Sequence, residues 1–532
     1  MLRRNGRRLS SYKNMPKYDT NTENDTNVLI FDEKGYNTPE LVENHATSVK
    51  MLTVEQKVIY DEIIGAVFEN KGGVFFGYGF GGTSKTFLWK TISAAIRSKG
   101  SIVLNVASSG IASLLLEGGR TAHSRFRIPI NPTEFTTCNM KAGDDRANLI
   151  KEASLIIWDE APMMSKHCFE SLDRSLSDIC KNGDNKPFGG KVIVFGGDFR
   201  QVLPVIPGGT RPEIVMSVLN SSYLWRTCKV LQLTTKNMRL FSGKLSQSEA
   251  RDLKEFSEWI LAVGDGRISE PNDGEVMIDI LSEFLITNAK DPIEAICTEI
   301  YEDITKLHLQ KNPKFWKERV ILCPTNEDLN QINDTMLEQL EGEEQIFLSS
   351  DSLDPADISG NANPALTPDF LNTIKVSRLP NHRLRLKIGC PVMLLINIDP
   401  IGGLMNGTRL QITQMGPLCV QAMILTGDRE GHLVLIPRLK LTPSDSKLPF
   451  RMRRRQLPLA VCFAMTINKS QGQSLARVGI FFPRPCFSHG QLYVAISRVT
   501  SKSGLKILIV DEDGKPQKQT KNIVFKEVFK NL

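Results

Sequence analysis

Between residues 79 and 86 the chain reads Gly79-Phe80-Gly81-Gly82-Thr83-Ser84-Lys85-Thr86, with a short apolar run before it and an amphipathic one after. A strand, a glycine-rich turn and a helix in that order suit a phosphate. Backbone N–H groups curl around it, and the helix N-terminus adds partial positive charge. Lys85 bridges the β- and γ-phosphates of a nucleoside triphosphate, and Thr86 ligates Mg²⁺. The segment departs from the GxxxxGK[ST] pattern at one place: Ser84 stands where the glycine before the lysine belongs. Its Cβ and hydroxyl intrude where backbone and phosphate meet closely. Alone, the segment reads equally well as a plain strand-to-helix turn. A second cluster tips the balance. Leu155-Ile156-Ile157-Trp158-Asp159-Glu160 is an apolar strand ending in two acids. Asp159 can hold Mg²⁺ through water and Glu160 can polarise an attacking water. Gln201, in the loop after another apolar run, either senses the γ-phosphate or is an ordinary loop amide. Turn and acidic pair together point to nucleoside triphosphate hydrolysis.

The surrounding pattern supplies the elements these residues need. Thr53 can N-cap a helix whose apolar stripe is Val54, Ile59, Ile63, Ile64 and Val67. Strands are expected at 74–76, 102–106, 153–158 and 191–195, with helices from Lys85 to about Ile96 and from Ser165 to Cys180. Short buried strands alternating with helices argue for a parallel α/β sheet. A second α/β block begins at 229–233 and continues with 319–323. From 384 to 441 the texture is all-β, which reads as a small barrel inserted into that block. The expected organisation is therefore a polar basic extension or linker (1–50), a first lobe (51–228), the first part of a second lobe (229–383), the inserted barrel (384–455), the rest of the second lobe (456–510) and a charged tail (511–532).

Composition narrows the class. The chain has 532 residues, 41% hydrophobic and 23% charged, close to ordinary globular usage and enough for three or four domain-sized units. No apolar run approaches the roughly 18 residues that span a bilayer. The net charge of +7 is clustered. Arg3, Arg4, Arg7, Arg8, Lys13 and Lys17 precede the first acid, and Arg451, Arg453, Arg454 and Arg455 form a second knot. Such clusters suit a polyanion or are simply solvated surface. No two of the ten cysteines lie within four residues of each other, so zinc-finger spacing is absent and a reducing, intracellular compartment is expected. The acid-free start is also compatible with an organellar transit peptide.

The order of segments resembles that of superfamily one DNA helicases, specifically the petite-integration-frequency (PIF-type) family and its Helitron-encoded branch, from about Leu52 to Ser501. Leu52-Thr53-Val54-Glu55-Gln56 looks like the Q motif, which implies Gln56 on adenine. Gly79, Gly81, Gly82, Thr83, Ser84, Lys85 and Thr86 then form the nucleotide cradle. Ala107 to Ala112 and Arg120 to Phe126 resemble the segments that contact single-stranded DNA, with a small wedge element near 121–143. Phe169 to Ile179 resembles the signature helix. Leu233 to Leu240 resembles the fourth motif, which implies Arg239 on the γ-phosphate. Phe463 to Ser474, containing Thr466-Ile467-Asn468-Lys469-Ser470-Gln471-Gly472, resembles the fifth motif, and His489 to Arg498 the sixth, which implies Arg498 as a second finger. Asn397 to Asp399 and Leu404 to Leu410 resemble the accessory β domain. The resemblance implies two tandem RecA-like lobes of the P-loop NTPase class, with ATP and Mg²⁺ in the cleft between them. It also implies single-stranded DNA and duplex junctions as partners, 5′-to-3′ movement, and a role in repair, recombination, telomere maintenance or transposon replication. The nucleus is the expected location, the mitochondrion the alternative. Ser108, Ser109, His123, Phe126, Thr466 and Lys469 are candidate DNA contacts, with Phe126 nearly as readable as core.

Two rivals stand beside this reading. Ser84 motivates a catalytically impaired DNA-binding remnant, and a P-loop ATPase acting on RNA or protein is the other. No His-x-His pair of a replication-initiator nuclease is present among the seven histidines.

Overall fold

The computed structural model describes residues 27–532 apart from 181–185, 235–245, 304–305, 308–309, 311, 356–365, 377–378, 401, 428, 444–447 and 531. The first lobe is built on six parallel strands: β1 (Gly73–Gly79), β2 (Ile102–Ala107), β3 (Arg120–Thr121), β4 (Ala153–Asp159), β5 (Val192–Gly197) and β6 (Cys228–Leu233), in the order β3-β2-β4-β5-β1-β6. Every residue of β2 and β5 is buried, as expected of strands covered on both faces. Alternate side chains feed two cores. Phe76, Ile156, Trp158 and Phe195 go to one face, while Phe75, Leu155, Ile157 and Val194 go to the other. The helix Lys85–Arg97 seats Leu88, Trp89 and Ile92 in the second core. Because β4, β5 and β1 are neighbours, the loops leaving their C-terminal ends converge at one sheet edge, where parallel α/β sheets bind ligands.

The second lobe has its own parallel sheet: β8 (Arg319–Cys323), β19 (Ala464–Thr466), β20 (Arg477–Phe482) and β21 (Leu505–Val510), with β22 (Pro516–Gln517) antiparallel at one edge, ordered β19-β8-β20-β21-β22. The β insertion leaves this lobe after the helix Asn326–Gln339 and rejoins it at β19. It centres on a five-stranded antiparallel sheet of β12 (Pro391–Leu394), β13 (Arg409–Met415), β14 (Cys419–Ile424), β15 (Leu433–Pro437) and β18 (Leu459–Val461), ordered β15-β14-β13-β12-β18.

Four expected boundaries shift. The strand at 229–233 does not open the second lobe: it is β6, paired with β1, because Leu231 and Leu233 complete the first-lobe core. The insertion is wider than 384–455. β9 (Glu344–Leu348) pairs with β11 (Arg383–Lys387), and β10 (Ser350–Leu353), β16 (Leu439–Leu441) and β17 (Met452–Gln456) form a further small sheet, so it runs from about 344 to 461. Residues 28–50 are not linker but two helices, Val28–Lys34 and Thr38–Lys50. They are held by Leu41 and by the buried Glu33, which accepts from Arg125 at 2.6 Å and lies 3.7 Å from Arg97. The expected tail instead carries β23 (Gln519–Ile523), antiparallel to β7 (Glu275–Asp279) of the second lobe. Beyond it, Phe525 and Val528 enter the first-lobe core, because the apolar pairs Val524-Phe525 and Val528-Phe529 stand between the lysines there. The chain's end thus fastens the lobes together.

The basic knot at 451–455 is also not a free patch. Arg454 is buried and donates to Asp351 and to the carbonyls of Leu371, Ile374 and Pro380, and Arg453 pairs with Asp354 at 2.8 Å. Arg451 and Arg455 are exposed.

Candidate active site between the lobes

Gln56 opens the site. Thr53 caps the helix Val54–Phe68, and the Gln56 side chain closes the box by accepting from the Thr53 N–H at 3.1 Å. Its other end donates 3.2 Å to the Thr83 carbonyl, so the buried amide is a strut under the phosphate-binding turn. Within that turn Gly82 has φ +93°, and a Cβ on Gly79 would lie 2.7 Å from the Thr83 hydroxyl. Ser84 has φ +56° and ψ +38°, the left-handed region, and precedes the helix without capping it through its side chain. The Lys85 ammonium donates to the Gly79 and Phe80 carbonyls.

Asp159 ends β4 and is buried, with Oδ1 accepting from the Trp89 indole at 3.4 Å. Burial pushes its pKa up, opposed by Lys85. Glu160 follows in a left-handed conformation, φ +52°. Burial first, and the neighbouring Asp159 second, raise its pKa to about 7, against the pull of Lys85 and Arg498. Its Oε1 accepts from Gln201 at 3.4 Å, while Oε2 is buried with no hydrogen-bond partner among the described residues. Such an orphaned acceptor suits a water or a phosphate-bound group.

These residues line a cavity of about 310 Å³ whose opposite wall is the second lobe. That wall brings Arg498, buried, with its guanidinium held by the carbonyls of Val494 and Gln473 and by Ser497. Desolvation lowers the Arg498 pKa and Glu160 opposes that shift, so the two charges feel each other across the cleft. Thr86 and Asp159 both face the cavity. A hydroxyl and a carboxylate are the hard oxygen donors that Mg²⁺ takes beside phosphate oxygens. The structure therefore gathers Lys85, Thr86, Asp159, Glu160, Gln201 and Arg498, with Gly81, Gly82 and Ser84, around one space; Arg239 lies outside the described residues. Gln56 reaches the turn from behind. No three His, Cys, Asp or Glu side chains cluster as a metal site among the described residues, and no described helix is long and apolar enough to cross a membrane.

The candidate DNA contacts divide. Lys469 is exposed and Thr466 half-buried beside it. Ser108 accepts from the Trp158 indole at 3.1 Å, Ser109 caps the turn Gly110–Ser113, and the His123 ring lies 3.0 Å from the Ile128 carbonyl. Phe126 is a correction. It has no exposed surface and packs against Trp158, 6.0 Å between ring centroids, so no base can stack on it. The exposed aromatic of that region is Phe135, 82% accessible, with Ile130 also exposed. The helix Lys166–Cys180 holds this segment: Arg174 donates to the Thr136 carbonyl, and Ser175 accepts from the Cys138 N–H at 2.8 Å.

Sequence reasoning missed the seam joining the lobes. Asp198, fully buried, accepts from the Tyr493 hydroxyl at 2.6 Å and pairs with Arg200 at 3.2 Å; Arg200 also binds Asp265 and the Tyr78 hydroxyl. His489 accepts the Phe525 N–H at Nδ1, 2.7 Å, which leaves Nε2–H to donate to the Phe199 carbonyl at 2.8 Å. The helix Gln247–Gly264 adds an apolar wall to the cavity with Leu253, Phe256 and Ile260, whose i, i+3, i+7 spacing was the one available signal.

Comparison with known proteins bears on the fold. A family model described as PIF1-like helicase matches residues 51–274, and one for the 2B domain of the DNA helicase Pif1 matches 369–415. The ATP-dependent DNA helicase PIF1 of Danio rerio is 28% identical over 480 residues, 87% of this chain and 63% of its own. That of Homo sapiens is 27% identical over 449 residues, 83% of this chain and 59% of its own. The chain thus spans about six-tenths of the length of these curated relatives. Bacteroides Pif1 bound to single-stranded DNA superposes with a TM-score of 0.60 at 21% identity, covering 88% of this chain and 93% of that one. A Pif1 helicase from Bacteroides in complex with ADP-AlF3 and single-stranded DNA gives 0.59 at 20%, covering 89% and 94%. Two α/β lobes with an inserted β domain are therefore a shared fold, and the chain is similar to PIF1-like helicases in sequence as well.

Proposed function

We propose that the protein is an ATP-dependent DNA helicase that moves along single-stranded DNA and opens duplex at a junction. The observation carrying this is the convergence of Lys85, Thr86, Asp159, Glu160 and Gln201 from one lobe with Arg498 from the other on one cavity. Lys85 and Arg498 offset phosphate charge from opposite walls, so the triphosphate favours the closed cleft and its hydrolysis releases it. Glu160, with one carboxylate oxygen oriented by Gln201, is the group to orient and deprotonate the attacking water. Mg²⁺ would be held by Thr86 and Asp159, and when bound it neutralises charge on the β- and γ-phosphates. Arg239 joins this set by resemblance. The relatives named above are DNA helicases, which favours DNA over RNA or protein as the track. The 5′-to-3′ direction, the Helitron-encoded branch, the pathways and the nuclear or mitochondrial location rest on resemblance alone.

The test is ATP turnover by the purified protein with Mg²⁺, alone and with single-stranded DNA or RNA, beside Lys85→Ala and Arg498→Ala. DNA-stimulated turnover that Lys85→Ala abolishes, and that Arg498→Ala lowers by about a thousandfold as loss of an arginine finger does, supports the reading. Turnover surviving Lys85→Ala removes the site assignment, and stimulation by RNA alone favours the rival track. One observation keeps the impaired-remnant reading in view, the left-handed Ser84 in the phosphate turn. DNA binding without turnover would select it.

A further inference from the structure

Glu160 is the near end of a polar chain that crosses the seam. Gln201, buried, donates from Nε2 to Glu160 Oε1 at 3.4 Å and accepts at Oε1 from Gln471 Nε2 at 3.2 Å. A side-chain amide has one donor end and one acceptor end. By occupying the acceptor end, Gln471 leaves the NH₂ of Gln201 facing the carboxylate. Gln471 is itself 1% exposed, and its own carbonyl oxygen has no partner among the described residues. It lies two residues beyond Lys469, immediately after the short 3-10 turn Ile467–Ser470 that follows Thr466. The next residue, Gly472, has φ +81° and packs on Ala112: a Cβ there would meet the Ala112 backbone at 3.4 Å. One short segment thus shows a lysine to solvent, touches the 108–112 segment and ends on the amide that orients Glu160.

We propose that Gln471 is a positioning residue for ATP hydrolysis, fixing through Gln201 how Glu160 is presented and tying that orientation to the strand-contacting residues 466–469. The inference rests on the function proposed above and deepens it, giving a physical route by which an occupied DNA track alters the nucleotide site. Gln471 touches no reacting atom; it acts only through Gln201. Leucine at 471 removes the donor and frees the Gln201 amide. Glutamate, nearly isosteric, reverses the polarity: its carboxylate draws the Gln201 NH₂ to itself and turns the carbonyl toward Glu160.

The experiment measures ATP turnover at saturating single-stranded DNA for Gln471→Leu, Gln471→Glu, Gln201→Leu and the Gln201→Leu/Gln471→Leu double variant. The expected result is kcat lower by about tenfold for Gln471→Leu, the scale of one lost orienting hydrogen bond, and lower still for Gln471→Glu. KM for ATP should stay within about twofold, and the double variant should be no slower than Gln201→Leu alone. Losses that add, or a change confined to KM, overturn the proposal. A second arm needs no turnover: the ratio of single-stranded DNA affinities with and without a non-hydrolysable ATP analogue. Linkage makes that ratio the coupling between the two sites. It should exceed one in the parent and fall toward one in Gln471→Leu. A parent ratio of one, or an unchanged ratio in the variant, overturns the inference. A parent that shows coupling but hydrolyses nothing refutes the proposed activity and leaves this arm to decide Gln471.

Discussion

Replacing Ser84 by glycine separates two costs that the phosphate turn carries. The first is backbone strain. Ser84 sits at φ +56°, ψ +38°, and an L-residue there costs about 1–2 kcal/mol relative to the right-handed region. Its hydroxyl caps nothing, so glycine loses no hydrogen bond at the helix start. Glycine also gains about 0.5–1 kcal/mol of freedom in the unfolded chain, so the two terms largely cancel in global stability. The thermal midpoint should move by no more than about 2 °C. The second cost falls on the ligand. Ser84 lines the cavity beside Gly81, Gly82 and Lys85, where a side chain would hold a phosphate away from backbone N–H donors. Recovering one hydrogen bond to a charged group is worth about 1.5–3 kcal/mol, or roughly 10- to 100-fold in affinity. Ser84→Gly is therefore expected to lower KM for ATP at least about tenfold with an almost unchanged melting curve, measured by steady-state turnover and scanning fluorimetry. A midpoint raised by several degrees with KM unmoved would refute the reasoning, because Ser84 would then be only a strained helix start.

The remaining predictions concern the seam and the segment around Phe135. Burial lowers the His489 pKa to about 4, with Arg211 adding to that shift and the Phe199 carbonyl, Asp198 and Glu527 opposing it. A folded pKa below the unfolded value of about 6.5 means that the folded state binds fewer protons, so stability is intact above pH 6.5 and falls as pH drops toward 4. The loss at pH 5 should be about 2 kcal/mol, and the melting midpoint should fall more between pH 7.5 and 5 in the parent than in His489→Gln; equal falls would exclude His489 as a source. Phe135 is exposed on the segment that the helix Lys166–Cys180 braces, where the resemblance implies a wedge element. Phe135→Ala should slow fork unwinding several-fold while single-stranded DNA-stimulated turnover stays within about twofold; a parallel loss of both would place Phe135 on the strand path instead.

The legible parts of this protein were those whose chemistry is local. A glycine turn before Lys85-Thr86 and an apolar strand ending in Asp159-Glu160 each carry their logic within ten residues, and the strands between them alternate with helices at readable spacing. The structure puts all four residues at one sheet edge. Legibility failed where burial depended on a distant partner. β6 looked like the start of a new block because nothing in its residues says that β1 lies beside it. The end of the chain read as a charged tail because its lysines dominate the composition, yet Ile523, Phe525 and Val528 are the residues that pack. Glu33 lay in a segment read as linker; it is buried because Arg97 and Arg125, far along the chain, meet it.

The seam shows why such residues escape a sequence reading and still fix how the lobes meet. Asp198 and Tyr493 are 295 positions apart, and Gln201 and Gln471 are 270 apart. Each half of such a pair is unremarkable until folding brings the lobes together. A buried carboxylate held by a hydroxyl and a guanidinium costs far more to strip of its partners than to keep them. An apolar seam would close just as well, but it would slide, whereas directional hydrogen bonds are made in few relative positions of the lobes. Lobe motion driven by the proposed hydrolysis would break and remake Asp198–Tyr493 and Gln201–Gln471 in discrete steps. Discrete positions are what a motor needs if each ATP is to advance it by a fixed distance along a strand.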